Sequence, residues 1–112
     1  QLGHLSVGAI ADVAVLRVLR PAHVDRVDLW FAWQKGETRI RYSVTLKDEA
    51  VAEGELVRAD CDATQPSWCV ARVEPDADLD PGDYVFKTER PGICRNDQSR
   101  GEGFIRASGS TR

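Results

Sequence analysis

The sequence predicts an all-β fold, a single β-sandwich of about seven short strands, on two observations. The first is apolar–polar alternation in two neighbouring segments. The second is a series of Pro, Gly and Asp turn signals roughly 8–15 residues apart, which cut the rest of the chain into strand-length pieces. At 112 residues the chain has room for one domain around one modest core. We assign residues 1–107 to that domain and read residues 108–112 as a flexible C-terminal tail.

The alternation is clearest in residues 26–34, where Val27, Leu29, Phe31 and Trp33 share one face and Asp28, Trp30 and Ala32 the other. In residues 38–47, Ile40, Tyr42, Val44 and Leu46 face one way and Arg39, Arg41, Ser43 and Thr45 the other. Lys35-Gly36 supplies a turn between them, so the two segments predict a hairpin. Pairing Trp33 with Thr38 sets Phe31 against Ile40, Leu29 against Tyr42 and Val27 against Val44. A one-residue slip sets Phe31 against Arg39, which the apolar pattern rejects. The same register puts Trp30 opposite Arg41 on the outer face, with Asp28 diagonal to it.

Residues 9–19 are apolar on both faces, which fits a central strand or a helix capped at Ser6 and ended by Pro21. Weak alternation makes residues 50–58 a strand, and residues 68–74 read as another. Pro81-Gly82 launches a strand over residues 83–89, and residues 103–107 form a short last one. Residues 95–102 read as a mobile loop, and no internal repeat is present.

The apolar fraction of 42% and charged fraction of 29% fit a soluble folded domain. A net charge of −3 argues against nucleic acid, which needs a concentrated basic face. The arginines greatly outnumber the lysines but are spread along the chain, a bias better explained by a GC-rich coding genome than by an anion site. The longest apolar run is interrupted by Asp12 and Arg17, so no membrane span is expected. The sequence starts at Gln1 and has no methionine, which reads as a processed product, a removed secretion signal being the simplest event. A periplasmic or extracellular location is the expectation.

Cysteines bear on the same point. Cys61 and Cys69 bracket a short loop whose ends can meet across a turn, and Cys94 is the odd thiol. Three single pairings are open, and each leaves one thiol. A zinc site would need His4 or His23, both distant in sequence, as a further ligand.

Leu79-Asp80-Pro81-Gly82-Asp83-Tyr84, followed by Val85-Phe86-Lys87, resembles the corner before a late strand in bacterial immunoglobulin-like and fibronectin-like domains. The resemblance implies a sandwich of immunoglobulin-like architecture in which the Tyr84 hydroxyl bonds back to the corner backbone. Residues 2–15 resemble an amidohydrolase stretch, in which a leucine-glycine start, a glycine and an Ala-Asp pair lead into a strand. In that family the segment belongs to a β-sandwich beside the catalytic barrel. The family's metal-binding histidines and aspartates have no counterpart here, so the resemblance implies at most a non-catalytic relic.

Of the two imidazoles, His4 lies near the start of the sequence and His23 in a loop after Pro21, with no nucleophile motif beside either. No phosphate-binding Gly-rich loop or helical pair of metal-binding histidines is present. The expectation is a protein without catalysis and without a cofactor. The acidic run from Glu74 to Asp83 places Asp76, Asp78 and Asp80 at alternate positions, as at the start of a calcium loop. Its glycine falls one residue late, Pro81 restricts the turn, and Lys87 stands where a bidentate glutamate belongs. A solvated acidic loop is therefore preferred, with any calcium affinity about millimolar. Trp30, with Asp28 and Arg41, is the candidate partner-binding face. The function expected is a non-catalytic, extracytoplasmic interaction or accessory domain with a protein partner. The alternatives are a small inhibitor or immunity-type protein acting through the acidic loop, and a calcium-stabilised module.

Overall fold

A computed structural model describes residues 10–95 and 102–111. His4, residues 2–9 of the amidohydrolase-like stretch, most of the expected 95–102 loop and Arg112 lie outside the described residues. The chain is all-β. Its strands are β1 (Ile10–Ala11), β2 (Val13–Val18), β3 (Ala22–Trp33), β4 (Arg39–Leu46), β5 (Glu49–Ala59), β6 (Ser67–Val73), β7 (Ala77–Leu79), β8 (Gly82–Thr88), β9 (Ile93–Cys94) and β10 (Ile105–Thr111). Among the described residues no helix is long and apolar enough to cross a membrane.

The strands belong to one 10-stranded sheet in the order β1-β9-β3-β6-β5-β4-β8-β2, with β7 and β10 also paired to β3. In place of the expected seven strands in a sandwich, the described residues form ten in a single sheet that curls into a nearly closed barrel. Near closure, the Gly103 amide donates to the Val13 carbonyl at 2.7 Å and Arg17 pairs with Glu102 at 3.1 Å. The 12-residue β3 organises this arrangement, since β10 and β9 flank it on one side and β7 and β6 on the other.

The expected hairpin does not form. β3 and β4 are separated by β6 and β5, and Phe31 lies opposite Cys69 while Ile40 lies opposite Leu56. Alternation nevertheless identified the inner face, for Val27, Leu29, Phe31, Trp33, Ile40 and Val44 are all buried. The error lies in the choice of partner, because any strand with an alternating apolar face matches any other by parity. Gly36 does turn the chain, with φ of 80°, but its amide donates to the Ala63 carbonyl. The tight hairpin is instead at Lys47-Asp48, both at positive φ (51° and 65°), as a type I′ turn requires. It joins β4 to β5, where the Tyr42 ring covers Gly54 opposite.

Residues 108–111, expected in a mobile tail, are the second half of β10, paired with residues 22–26 of β3. A bulge between Ser108 and Gly109 brings the two backbones together. A Cβ at Gly109 would lie 2.0 Å from the His23 carbonyl, so only glycine fits.

Cys61 and Cys69 form the disulfide, with Cα atoms 6.4 Å apart, and Cys94 is part-buried in β9. Thiol titration in denaturant without reductant should therefore give one thiol per chain. A value of three would mean the bond is not made.

Two arginines seal this end of the barrel. Arg58 is buried, lies over the Trp33 ring at 5.9 Å, and donates to the carbonyls of Gln34, Glu37 and Gln65 at 3.0, 3.1 and 2.8 Å. Arg90 lies over the Phe31 ring at 4.8 Å, donates to the Ala32 carbonyl at 2.9 Å, and grips the Glu37 carboxylate with two nitrogens. Burial pushes the Glu37 carboxyl up, but the Arg90 hydrogen bond, the Gln34 amide and the charges of Arg90 and Arg58 outweigh it and hold it below its ordinary value of 4.5. A depressed carboxyl stabilises the fold above its unfolded-state value, and that contribution is lost as pH falls through the folded-state value. Glu37→Gln should therefore be less stable than the parent near neutrality, with the two converging below about pH 4.5, as denaturation midpoints against pH would show.

Candidate functional site

The opposite end of the barrel is open. Here Val27 of β3, Val44 and Leu46 of β4, Val73 of β6 and Tyr84 and Phe86 of β8 turn apolar side chains inward. They wall a cavity of about 300 Å³, rimmed by Ala77, Asp78, Leu79 and Asp80 of the β7 segment. The floor is ordered by the Tyr42 and Phe86 rings, stacked with centroids 5.9 Å apart. The Tyr84 hydroxyl donates to the Asp80 carbonyl at 2.8 Å and fixes the corner at the cavity rim. Burial pushes the Tyr84 phenol up, so it stays a neutral donor at ordinary pH.

β7 also builds a polar cluster. It pairs with the start of β3, placing His23 opposite Asp78. His23 Nδ1 lies 2.7 Å from Asp78 Oδ1, and Nε2 lies 2.7 Å from Asp76 Oδ1 and 3.4 Å from Asp25 Oδ1. Asp25 stands two residues along β3 from His23, on the same face, while Asp76 reaches in from a backbone turn at φ of 45°. Hydrogen bonds donated to Asp78, then Asp76, raise the imidazole above its ordinary 6.5.

Of the sequence candidates, Asp76 and Asp78 meet at His23, while Asp80 contributes its main-chain carbonyl to the Tyr84 corner. The three do not form the alternating oxygen array of a calcium loop. Asp28 is buried, bound by Arg72 at 2.9 Å and close to Arg26 at 3.5 Å. Its carboxylate serves the β3–β6 pairing. Trp30 is part-exposed beside Val70 of β6, and Arg41 is exposed on β4 opposite Glu55. The expected Trp30–Arg41 neighbourhood disappears with the hairpin that would have created it.

Sequence reasoning missed His23 as a site residue because two of its three carboxylates, Asp76 and Asp78, come from more than 50 positions away, through the β3–β7 pairing. It missed the cavity for the same reason. No known family model, curated protein or solved structure matches the chain.

Proposed function

We propose that this domain is a non-catalytic, extracytoplasmic binding module that takes one apolar side chain of a partner protein into the open end of its barrel. The observation carrying this reading is the cavity of about 300 Å³ walled by Val27, Val44, Leu46, Val73, Tyr84 and Phe86. That volume stands at the small end of ligand sites, roughly 300–1,000 Å³, and suits a single anchoring side chain. Asp78 and Asp80 at the rim favour an anchor with basic neighbours. The Cys61–Cys69 disulfide supports an oxidising compartment such as the periplasm or the extracellular space. The corner bond from Tyr84 to Asp80 supports a loose architectural kinship with immunoglobulin-like domains, although the strands join in one sheet.

Ala77→Phe, which fills the cavity from its rim, tests the reading. The parent domain should capture a partner from the source organism's envelope or culture fraction, and Trp30→Ala should capture it equally. Ala77→Phe should lose it while keeping the parent's circular dichroism. Equal capture by Ala77→Phe would place the contact elsewhere. Loss by Trp30→Ala alone would move it to the outer face of β3.

A further inference from the structure

The cluster around His23 has more negative charge than its own cation offsets. Asp25, Asp76 and Asp78 converge on one imidazole, which carries at most one positive charge. Among the described residues, the ion pairs of Asp25 and Asp76 all run to His23. A proton there offsets only one of the two carboxylates Asp25 and Asp76, whereas a divalent cation in addition to the imidazole would neutralise both. Such a cation would hold together groups that otherwise repel.

The donors also have the required arrangement. His23 Nε2 and one oxygen each of Asp25 and Asp76 lie within 4.8 Å of one another. Ligands about 2.0–2.2 Å from a tetrahedral metal stand roughly 3.3 Å apart. The Nε2–Asp25 separation is already 3.4 Å, and the 2.7 Å contact to Asp76 would open by a small rotation of an exposed carboxylate. On the far side of the ring, Nδ1 meets Asp78 Oδ1 at 2.7 Å. A carboxylate in that position fixes the tautomer that leaves Nε2 as the ligand and raises its basicity.

We propose that His23, Asp25 and Asp76 bind a divalent first-row transition-metal cation of the zinc class, with Asp78 as the positioning residue for the imidazole. The mixed nitrogen–oxygen set selects this class over calcium, which takes six to eight oxygens and gains nothing from an imidazole. Three protein donors leave one coordination position to water. The site is independent of the cavity reading, since its donors converge outside the apolar pocket and would bind metal with the cavity filled or empty.

The test is calorimetric titration of the untagged domain at pH 8 with zinc chloride and, separately, calcium chloride, at physiological ionic strength. One zinc ion should bind per chain, with calcium at least about 100-fold weaker. His23→Gln and Asp76→Asn should abolish zinc binding, and Asp78→Asn should weaken it by roughly 10- to 100-fold. His4→Gln and Cys94→Ser, which remove zinc-binding groups elsewhere, should leave it unchanged. Cobalt in place of zinc should shift the His23 ring protons in NMR spectra and give a visible absorption band that His23→Gln lacks. Circular dichroism would confirm that each variant is folded. Equal binding of calcium and zinc, zinc binding unaffected by His23→Gln, or no heat of binding would each overturn the proposal. Loss of zinc binding in Cys94→Ser would also overturn it by locating the ion at the thiol. Ala77→Phe should still bind zinc, so failure of the cavity reading and failure of this one are separable.

Discussion

Replacing Phe31 by alanine should cost about 3–5 kcal/mol in unfolding free energy, a large part of the roughly 5–15 kcal/mol a domain of this size has. Phe31 is fully buried, and its ring meets Trp33 edge to face at 5.0 Å between centroids. On its other side lies the Arg90 guanidinium, 4.8 Å from the ring centre. Removing the ring leaves a cavity beside a charged group that relied on it for cover, so the site cannot collapse cheaply. Trp30→Ala is the internal control. The neighbouring side chain points to the opposite face and is only partly buried, so its loss should cost clearly less. Urea denaturation of the two variants decides the matter. A larger loss for Trp30→Ala would mean that the inner and outer faces of β3 are exchanged.

That inner face was legible in the sequence because period-two alternation is a local property of β3 and β4. Their partners were not legible. Phe31 meets Cys69 and Ile40 meets Leu56, yet the parity of the apolar residues is also satisfied by pairing Phe31 with Ile40. Turn chemistry then misled the reading. Lys35-Gly36 carries the glycine of a hairpin signal but spans the barrel end, whereas Lys47-Asp48 makes the real type I′ turn without one. Cys61–Cys69 was one of three pairings the sequence left open, whereas the Tyr84 corner was readable because it connects residues close in sequence. His23 and the cavity were not, since each depends on the β3–β7 pairing and the curl of the sheet. The acidic run suggested oxygens converging within one loop, but the carboxylates are gathered instead by an imidazole on another strand. Residues 108–112 looked like a tail because Ser108, Gly109, Ser110 and Thr111 are small and mostly polar, yet small residues are what the bulge against His23 accepts.

Arg58→Met should cost about 3–5 kcal/mol and loosen the disulfide-bearing loop. Arg58 is a charged residue on β5 that the sequence offered no reason to single out, and it is 8% exposed. Its guanidinium donates to three carbonyls and to Ser67 Oγ at 3.1 Å, and its Nε approaches Cys61 Sγ at 3.3 Å. It thereby ties the turn after β3 to the loop between β5 and β6, above Trp33. Methionine keeps much of the bulk over Trp33 but leaves the carbonyls of Glu37 and Gln65 without the Arg58 donor, while Gln34 keeps only the Glu37 amide. The expected loss therefore comes from unsatisfied acceptors rather than from an empty volume. Arg58→Lys should recover only a minor part, because one ammonium cannot reach both sides of the fork. Two measurements separate this role from simple packing. Denaturation midpoints give the stability, and the rate at which dithiothreitol reduces the Cys61–Cys69 bond in native buffer reports the loop. Faster reduction in Arg58→Met, with the rate unchanged in Glu37→Gln, is the result expected of a guanidinium that clamps the loop directly. An unchanged rate in Arg58→Met would show that the loop holds its own shape and that the guanidinium acts only through the turn after β3.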